Sequence, residues 1–341
     1  VKEGDEATDI FGKFIPNPAN AQADSWVEAG SGDDVVTGGD GKDNIRGDDG
    51  NDEIDGGKED DIIRGGSGDD IISGGEGNDQ LRGESGDDVI RGGEGDDVIY
   101  TGEGDDEAYG EEGDDEIIMG GPGRQLIDGG DGNDALVVNL DSYAEEHGLP
   151  DDFLYEVNLV EERANPKDDP DHENADSILN IENVVVTGGF DITLIGDDNG
   201  NNLFTGYGDD HIEAGDGNDF VGSSKGSDTI YLGDGDDVYF IQNNLDLRDS
   251  GQGSSDVNYI YDSGGLDTVT ILDSQGRDSY RFVNLEDGGF LIELTDGAQH
   301  IFSSGFETLR WLGESGSETN FEIVFDAEDI VGGQAAFAGT D

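Results

Sequence analysis

From Ala29 to Val137 the chain alternates short apolar-centred runs with short runs rich in glycine and aspartate, and the alternation recurs every nine residues. With the first position of the unit at 29, 38, 47, 56, 65, 74, 83, 92, 101, 110, 120 and 129, the eighth position reads Val36, Ile45, Ile54, Ile63, Ile72, Leu81, Ile90, Ile99, Ala108, Ile117, Ile127 and Leu136. All twelve are apolar. The seventh and ninth positions are mixed, with Asn44, Glu53 and Gln80 beside Ile62 and Ile71. One inward side chain between two outward ones predicts a strand of three residues, and the six that remain must turn the chain back. Two units then make one coil of eighteen residues. Coils stacked at the strand spacing of about 4.8 Å give six coils and roughly 29 Å of parallel β-solenoid.

The core so predicted is thin: two facing columns of single aliphatic side chains. Backbone ordering costs about 1–2 kcal/mol per residue, which apolar burial on this scale does not offset alone. Composition sharpens the difficulty, because the 341 residues include 85 acids, 16 lysines and arginines and 59 glycines, for a net charge of −69 with 32% hydrophobic residues. Scattered acids in that proportion would mark a disordered chain. Here they fall at a fixed step beside glycine.

The unit reads G-G-x-G-x-D-x-U-x, with U apolar, as in Gly65 to Ser73 and Gly92 to Tyr100. Glycines at positions one, two and four let the turn curl its carbonyl oxygens toward one point, and the sixth-position aspartate delivers a carboxylate there. A flexible, all-oxygen donor set suits calcium better than magnesium, and the lack of cysteine and of repeat-position histidines disfavours zinc. The expected metal ligands are Asp34, Asp43, Asp52, Asp61, Asp70, Asp79, Asp88, Asp97, Asp106, Asp115 and Asp134, with Asp210, Asp219, Asp228 and Asp237 in a second, shorter block. Because turns alternate sides, Asp34, Asp52, Asp70, Asp88 and Asp106 should form one column and Asp43, Asp61, Asp79, Asp97 and Asp115 the other. Loop pairs eighteen residues apart give on the order of a dozen ions. Without them the array repels itself, so folding is expected to depend on calcium.

These units resemble the RTX nonapeptide repeats of secreted bacterial proteins. The stretches Ile178 to Val184 and Asp191 to Gly196 are similar to the linker that leads one RTX block into the next. The resemblance implies an all-β fold, a calcium-bound parallel β-roll whose aspartates bridge successive loops. It also implies export by type I secretion machinery through an uncleaved carboxy-terminal signal, and hence a secreted or cell-surface location. That would fit the absence of a basic region followed by an apolar run in Val1 to Asp9. A start at Val1 suggests a processed chain or an excerpt.

Departures from the pattern predict weak points. Glu59 replaces the fourth-position glycine beside Asp61, Met119 reads as an extra residue between units, and Gln125 stands where an aspartate belongs. The site shared by Asp106 and Gln125 should be the weakest. The expected organisation is an N-terminal cap (1–28, with Trp26 packed inside it), a first roll block (29–137), an irregular insert with linker strands (138–195), a second block (196–240, with Asn202 as a degenerate sixth position) and a degenerate repeat with a β-rich C-terminal cap (241–341). Residues 142–174, rich in acids and proline, read as an inserted loop.

The function classes narrow accordingly. The negative charge excludes nucleic acid as a partner, and no apolar run is long enough to span a membrane. Gly222 to Gly226 matches G-x-S-x-G, yet it lies in repeat register without a strand-elbow-helix context, and His147 and His172 belong to no H-E-x-x-H motif. No catalytic constellation is therefore expected, and the chain reads as a structural, adhesive or surface-layer module. The alternative is the calcium-binding module of a secreted protease, lipase or polysaccharide epimerase whose catalytic domain lies elsewhere. Arg46, Arg64 and Arg82, eighteen residues apart, should stack on one face; an acidic polysaccharide partner is one reading, and charge offset on a solvated face is the favoured one.

Overall fold

The structure, a computed structural model, describes residues 14–16, 24–120, 123–141, 154–166, 175–224, 226–242, 257–262, 267–273, 280–284, 290–294, 299–302, 306–313 and 321–324. Two compact units divide it: Val1–Asp151 with Glu161–Thr187, and Asp152–Val160 with Gly188–Asp341.

The first unit is built from β1 (Phe14–Pro16), β2 (Trp26–Ser31), β3 (Val35–Gly39), β4 (Asn44–Asp49), β5 (Glu53–Lys58), β6 (Ile62–Ser67) and β7 (Ile71–Glu76). It continues through β8 (Gln80–Ser85), β9 (Val89–Glu94), β10 (Val98–Glu103), β11 (Glu107–Glu112), β12 (Glu116–Met119), β13 (Leu126–Asp131) and β14 (Ala135–Asn139). After β15 (Tyr155–Asn158), which belongs to the second unit, come β16 (Arg163–Pro166), β17 (Asp176–Leu179) and β18 (Asn183–Thr187). Strands β1, β3, β5, β7, β9, β11, β13 and β17 pair in parallel as one sheet. The even strands from β2 to β14, then β18, form the other. Each nine-residue unit thus carries the chain from one sheet to the other, and each eighteen-residue step returns it beside its starting strand. This is the parallel β-solenoid that the period predicts.

The eighth positions fill the space between the sheets. Val36, Ile54, Ile72, Ile90, Ala108, Ile127 and Ile178 make one column and Ile45, Ile63, Leu81, Ile99, Ile117, Leu136 and Val184 the other, none more than 2% exposed. Most strands are six residues long, twice the predicted three, because the ladder runs on through positions one to three, as in Gly57↔Gly75↔Gly93. At Gly57, Gly75 and Gly93 a Cβ would meet the carbonyl oxygen of the preceding coil, so glycine lets the ladder pass there.

In the second unit β15, β19 (Ile192–Ile195), β21 (His211–Glu213), β23 (Thr229–Tyr231) and β25 (Val257–Tyr261) pair in parallel. Opposite them run β20 (Asn202–Phe204), β22 (Phe220–Gly222) and β24 (Val238–Gln242). Strands β20 to β23 have the predicted three residues. Position one is occupied there by Thr205, Ala214, Ser223 and Leu232, of which all but Ser223 are buried, so three units have a second buried side chain. Toward the C-terminus the parallel ladder gives way to antiparallel pairs, 280–284 with 290–294 and 306–313 with 321–324.

Several expectations are corrected. Strand β15 and its buried Tyr155 and Val157 show that part of 142–174 is ordered sheet rather than loop; His147 and His172 lie outside the described residues. Trp26 is 62% exposed, because it takes the outward seventh position opposite Asn44. Met119 is not the extra residue: it pairs with Val138 and is buried. Gly120 stacks on Gly102, eighteen residues back, whereas Gly123 stacks on Gly104, nineteen back, so the extra residue falls between Gly120 and Gly123 in the sequence. Among the described residues no helix is long and apolar enough to cross a membrane.

Candidate metal centre

The sixth-position side chains stand in the two predicted columns. On one side the backbone N–H of Asp34 donates to Asp52 Oδ1 at 2.8 Å, Asp52 to Asp70 at 2.7 Å, Asp70 to Asp88 at 2.8 Å and Asp88 to Asp106 at 3.0 Å. On the other, Asp43, Asp61, Asp79, Asp97 and Asp115 donate in turn to Asp61, Asp79, Asp97, Asp115 and Asp134 at 2.7–2.8 Å. In the second unit Asp210 donates to Asp228 and Asp219 to Asp237. The degenerate sixth position is Asn201, whose N–H donates to Asp219 Oδ1 while Leu203 faces Val221; Asn202 is one place too late.

One carboxylate oxygen is thereby used, and the other points inward. Oδ2 of Asp52, Asp61, Asp70, Asp79, Asp88, Asp97, Asp115, Asp134 and Asp219 is buried without a hydrogen-bond partner. Its direction is fixed by the first-position glycine. The point that a Cβ on Gly38 would occupy is in contact with both Asp43 Oδ2 and the carbonyl oxygen of Gly56, eighteen residues on. At Gly47, Gly56, Gly65, Gly74 and Gly92 the same point lies 2.6–2.9 Å from the following coil's carbonyl oxygen, with the unit's own Oδ2 beside it. Two oxygens converging with no donor between them fit a hard cation. At these glycines a methyl group would meet both oxygens, whereas Thr101, Thr205, Ala214 and Leu232 carry a side chain at the same position. Among the described residues no three histidine, aspartate or glutamate side chains form a metal-holding group, so carbonyl oxygens must supply much of any donor set.

Electrostatics agree. Burial raises the carboxyls of Asp61, Asp70 and Asp97 to about 7, against the opposing pull of one backbone hydrogen bond each, with neighbouring carboxylates adding to the rise. Asp88 is pushed up to about 8 by burial, with Asp106 and Asp70 contributing. In the second unit burial brings Asp219 to about 7 and Asp210 to about 8. Negative charge in these cradles is disfavoured until a positive charge joins it.

The sequence reading missed a second ladder. Fifth-position side chains accept in the opposite direction: Asn51 N–H donates to Asp33 Oδ1, Asp69 to Asn51, Asp87 to Asp69 and Asp105 to Asp87, at 2.9–3.1 Å. The prevalence of Asp and Asn before the sixth position was its available signal. Two further acids were missed: Gln125 N–H donates to Asp176 Oδ1 and Asp134 N–H to Glu182 Oε2, both at 2.8 Å. Each begins an acid-x-U-x pattern, Asp176 to Leu179 and Glu182 to Val185.

At the predicted weak point, Gln125 Nε2 donates to the Gly104 carbonyl at 2.8 Å. Gln125 thus aims an amide N–H at a fourth-position carbonyl of the preceding coil, where the repeat aspartates have only acceptor oxygens. Glu59, at a fourth position, has φ 66°, where Gly50, Gly68 and Gly86 have 118–137°. On the outer face Arg46, Arg64 and Arg82 do stack in register, with the Arg82 guanidinium 4.1 Å from the Tyr100 ring centroid and Arg46 Nη2 3.3 Å from Asp48 Oδ1. Ser223 Oγ, in the G-x-S-x-G stretch, lies 3.2 Å from the Tyr239 hydroxyl.

Fold and site together define a parallel β-solenoid with rows of oxygen cradles along its turns. Residues 23–54, 46–81, 82–117, 113–142, 195–230 and 223–240 match the RTX calcium-binding nonapeptide repeat, and these stretches of the chain belong to that family. No curated protein matches the chain.

Proposed function

We propose that the chain is a calcium-folded structural module of a secreted protein, working as a rigid spacer, an adhesive segment or part of a surface layer. The observation that carries this reading is the repeated orphaned Oδ2 beside a converging carbonyl, set around a core only one aliphatic side chain deep. Calcium, when bound, supplies the positive charge that these oxygens lack. The chain's own residues do the rest. Where position one is glycine it keeps the cradle open, sixth-position carboxylates hold one oxygen on the preceding coil and offer the other, and the strand ladders fix adjacent turns at a constant spacing.

Secretion is supported by the family, whose members are typically secreted. A low-calcium interior would keep such a chain extended for passage through type I secretion machinery, and external calcium would fold it. The reading assigns the chain no catalytic step.

Circular dichroism of the full chain during calcium titration tests the proposal. The chelated chain should lack most of its β signal and regain it cooperatively with calcium, not with magnesium at equal concentration. A full β signal in the chelated chain at pH 7.5 would overturn it.

A further inference from the structure

Beyond the repeats, the structure points to one more cation site. We propose that Asp134, the Asn180 carbonyl and Glu182 form a calcium cradle that ties the segment after the sequence interruption to the end of the first block. This rests on the calcium reading above.

Asp134 is fully buried, and its Oδ2 has no hydrogen-bond partner. Its carbonyl is abundantly served, accepting from Glu182 N at 3.1 Å, Asn183 N at 2.9 Å and Asn183 Nδ2 at 3.0 Å. The orphaned oxygen is therefore not for want of neighbouring donors. It is aimed at the open side of Gly129: a Cβ there would lie 2.6 Å from Asp134 Oδ2 and in contact with the Asn180 carbonyl oxygen. This is the convergence seen at Gly47, Gly56 and Gly65, with Asn180 in place of the next coil's first-position glycine.

Asn180 reaches that position by a left-handed backbone, φ 50°, which asparagine tolerates better than most residues, and its Nδ2 is fixed by Asp128 Oδ1 at 2.7 Å. Glu182 then takes the sixth-position part, its Oε2 accepting the Asp134 N–H from 48 residues away. Glu182 is thus the acid that follows Asp134 in its column, as Asp61 follows Asp43. Strand β18 follows directly, pairing Val184 with Leu136. An ion here would bridge a repeat aspartate and a non-repeat turn, extending the metal array past the last matched residue of the block, 142.

The test compares the full-length chain with Glu182→Gln and Glu182→Asp. Bound calcium is counted by equilibrium dialysis, and amide exchange is followed in β8 and β18 across a calcium series. Glutamine still accepts the Asp134 N–H, so a purely structural Glu182 predicts no change. The proposal predicts one ion fewer in Glu182→Gln, with at least a tenfold higher calcium midpoint for protection of β18 and an unaltered midpoint for β8, and the wild-type count in Glu182→Asp. A Glu182→Gln chain with the wild-type count and β18 midpoint overturns this site alone. A wild-type chain that takes up no calcium overturns the calcium reading of the whole array, and this site with it.

Discussion

Replacing Asp88 by asparagine should make the protein less stable at high calcium and no less stable at low calcium. Oδ1 of Asp88 accepts the Asp70 N–H at 2.8 Å, a bond that asparagine keeps. Oδ2 lies beside the Thr101 carbonyl at the open side of Gly83, and there asparagine places a donor. The variant can satisfy that carbonyl internally, much as Gln125 does for Gly104. It also removes a carboxyl that burial holds near 8. The lost ion sets the magnitude: stability grows by RT ln(1 + [L]/Kd) per site, so each ion adds about 1.4 kcal/mol per tenfold rise in calcium above its dissociation constant. Urea unfolding of wild type and Asp88→Asn at several calcium concentrations should give slopes against log calcium that differ by one ion, with the lines meeting at low calcium. Asp88→Ala should share the shallower slope and lie a further ~1–3 kcal/mol below, because the buried Asp70 N–H loses its acceptor. Parallel lines for wild type and Asp88→Asn would refute the assignment of Oδ2 to an ion.

Converting Gln125 to Asp should have the opposite effect, raising bound calcium by one; an unchanged count would show that the amide is not what keeps that cradle closed. Glu59→Gly should stabilise the calcium-loaded protein by about 1 kcal/mol in urea unfolding, since left-handed strain of about 1–3 kcal/mol outweighs the entropic cost of glycine, and a loss of stability would refute the strain. Acid should partly replace calcium. The folded carboxyls sit at about 6–8, above the usual carboxylate value near 3.9, so their cost is absent at low pH and appears as pH rises through that window. The chelated chain should therefore gain β signal between pH 8 and pH 5, while the calcium midpoint at pH 5 moves to higher concentration; a chelated chain that loses β signal on acidification would count against it.

The inward column and the two aspartate columns were legible because the eighth and sixth positions obey one period and face one environment: Val36 to Leu136 are buried, and Asp34 to Asp115 hydrogen-bond in the predicted order. What escaped notice lies where the period is interrupted. Strand β17 pairs with β13 across a sequence gap of about fifty residues, a length that no nine-residue frame carries forward, so Asp176 and Glu182 were not placed in the aspartate columns. The strand length was underestimated because positions one and two are mostly glycine, which reports no face. Trp26 was misread for another reason: a large apolar residue near an array end suggests packing, but the β2 register sends it outward.

The eighteen-residue recurrence of the hydrogen bonds also governs how such a chain can change length. Excision of Gly65 to Arg82 would join Arg64 to Gly83, bringing together two coils that already share the same phase, and every later strand would keep its sheet. Excision of Gly65 to Ser73 alone would transfer every later strand to the opposite sheet, parting Arg82 from Arg46 and Arg64 and exchanging the two carboxylate columns. The pair of units, not the unit that the eye finds in the sequence, is thus the smallest piece that can be gained or lost without redrawing the surface.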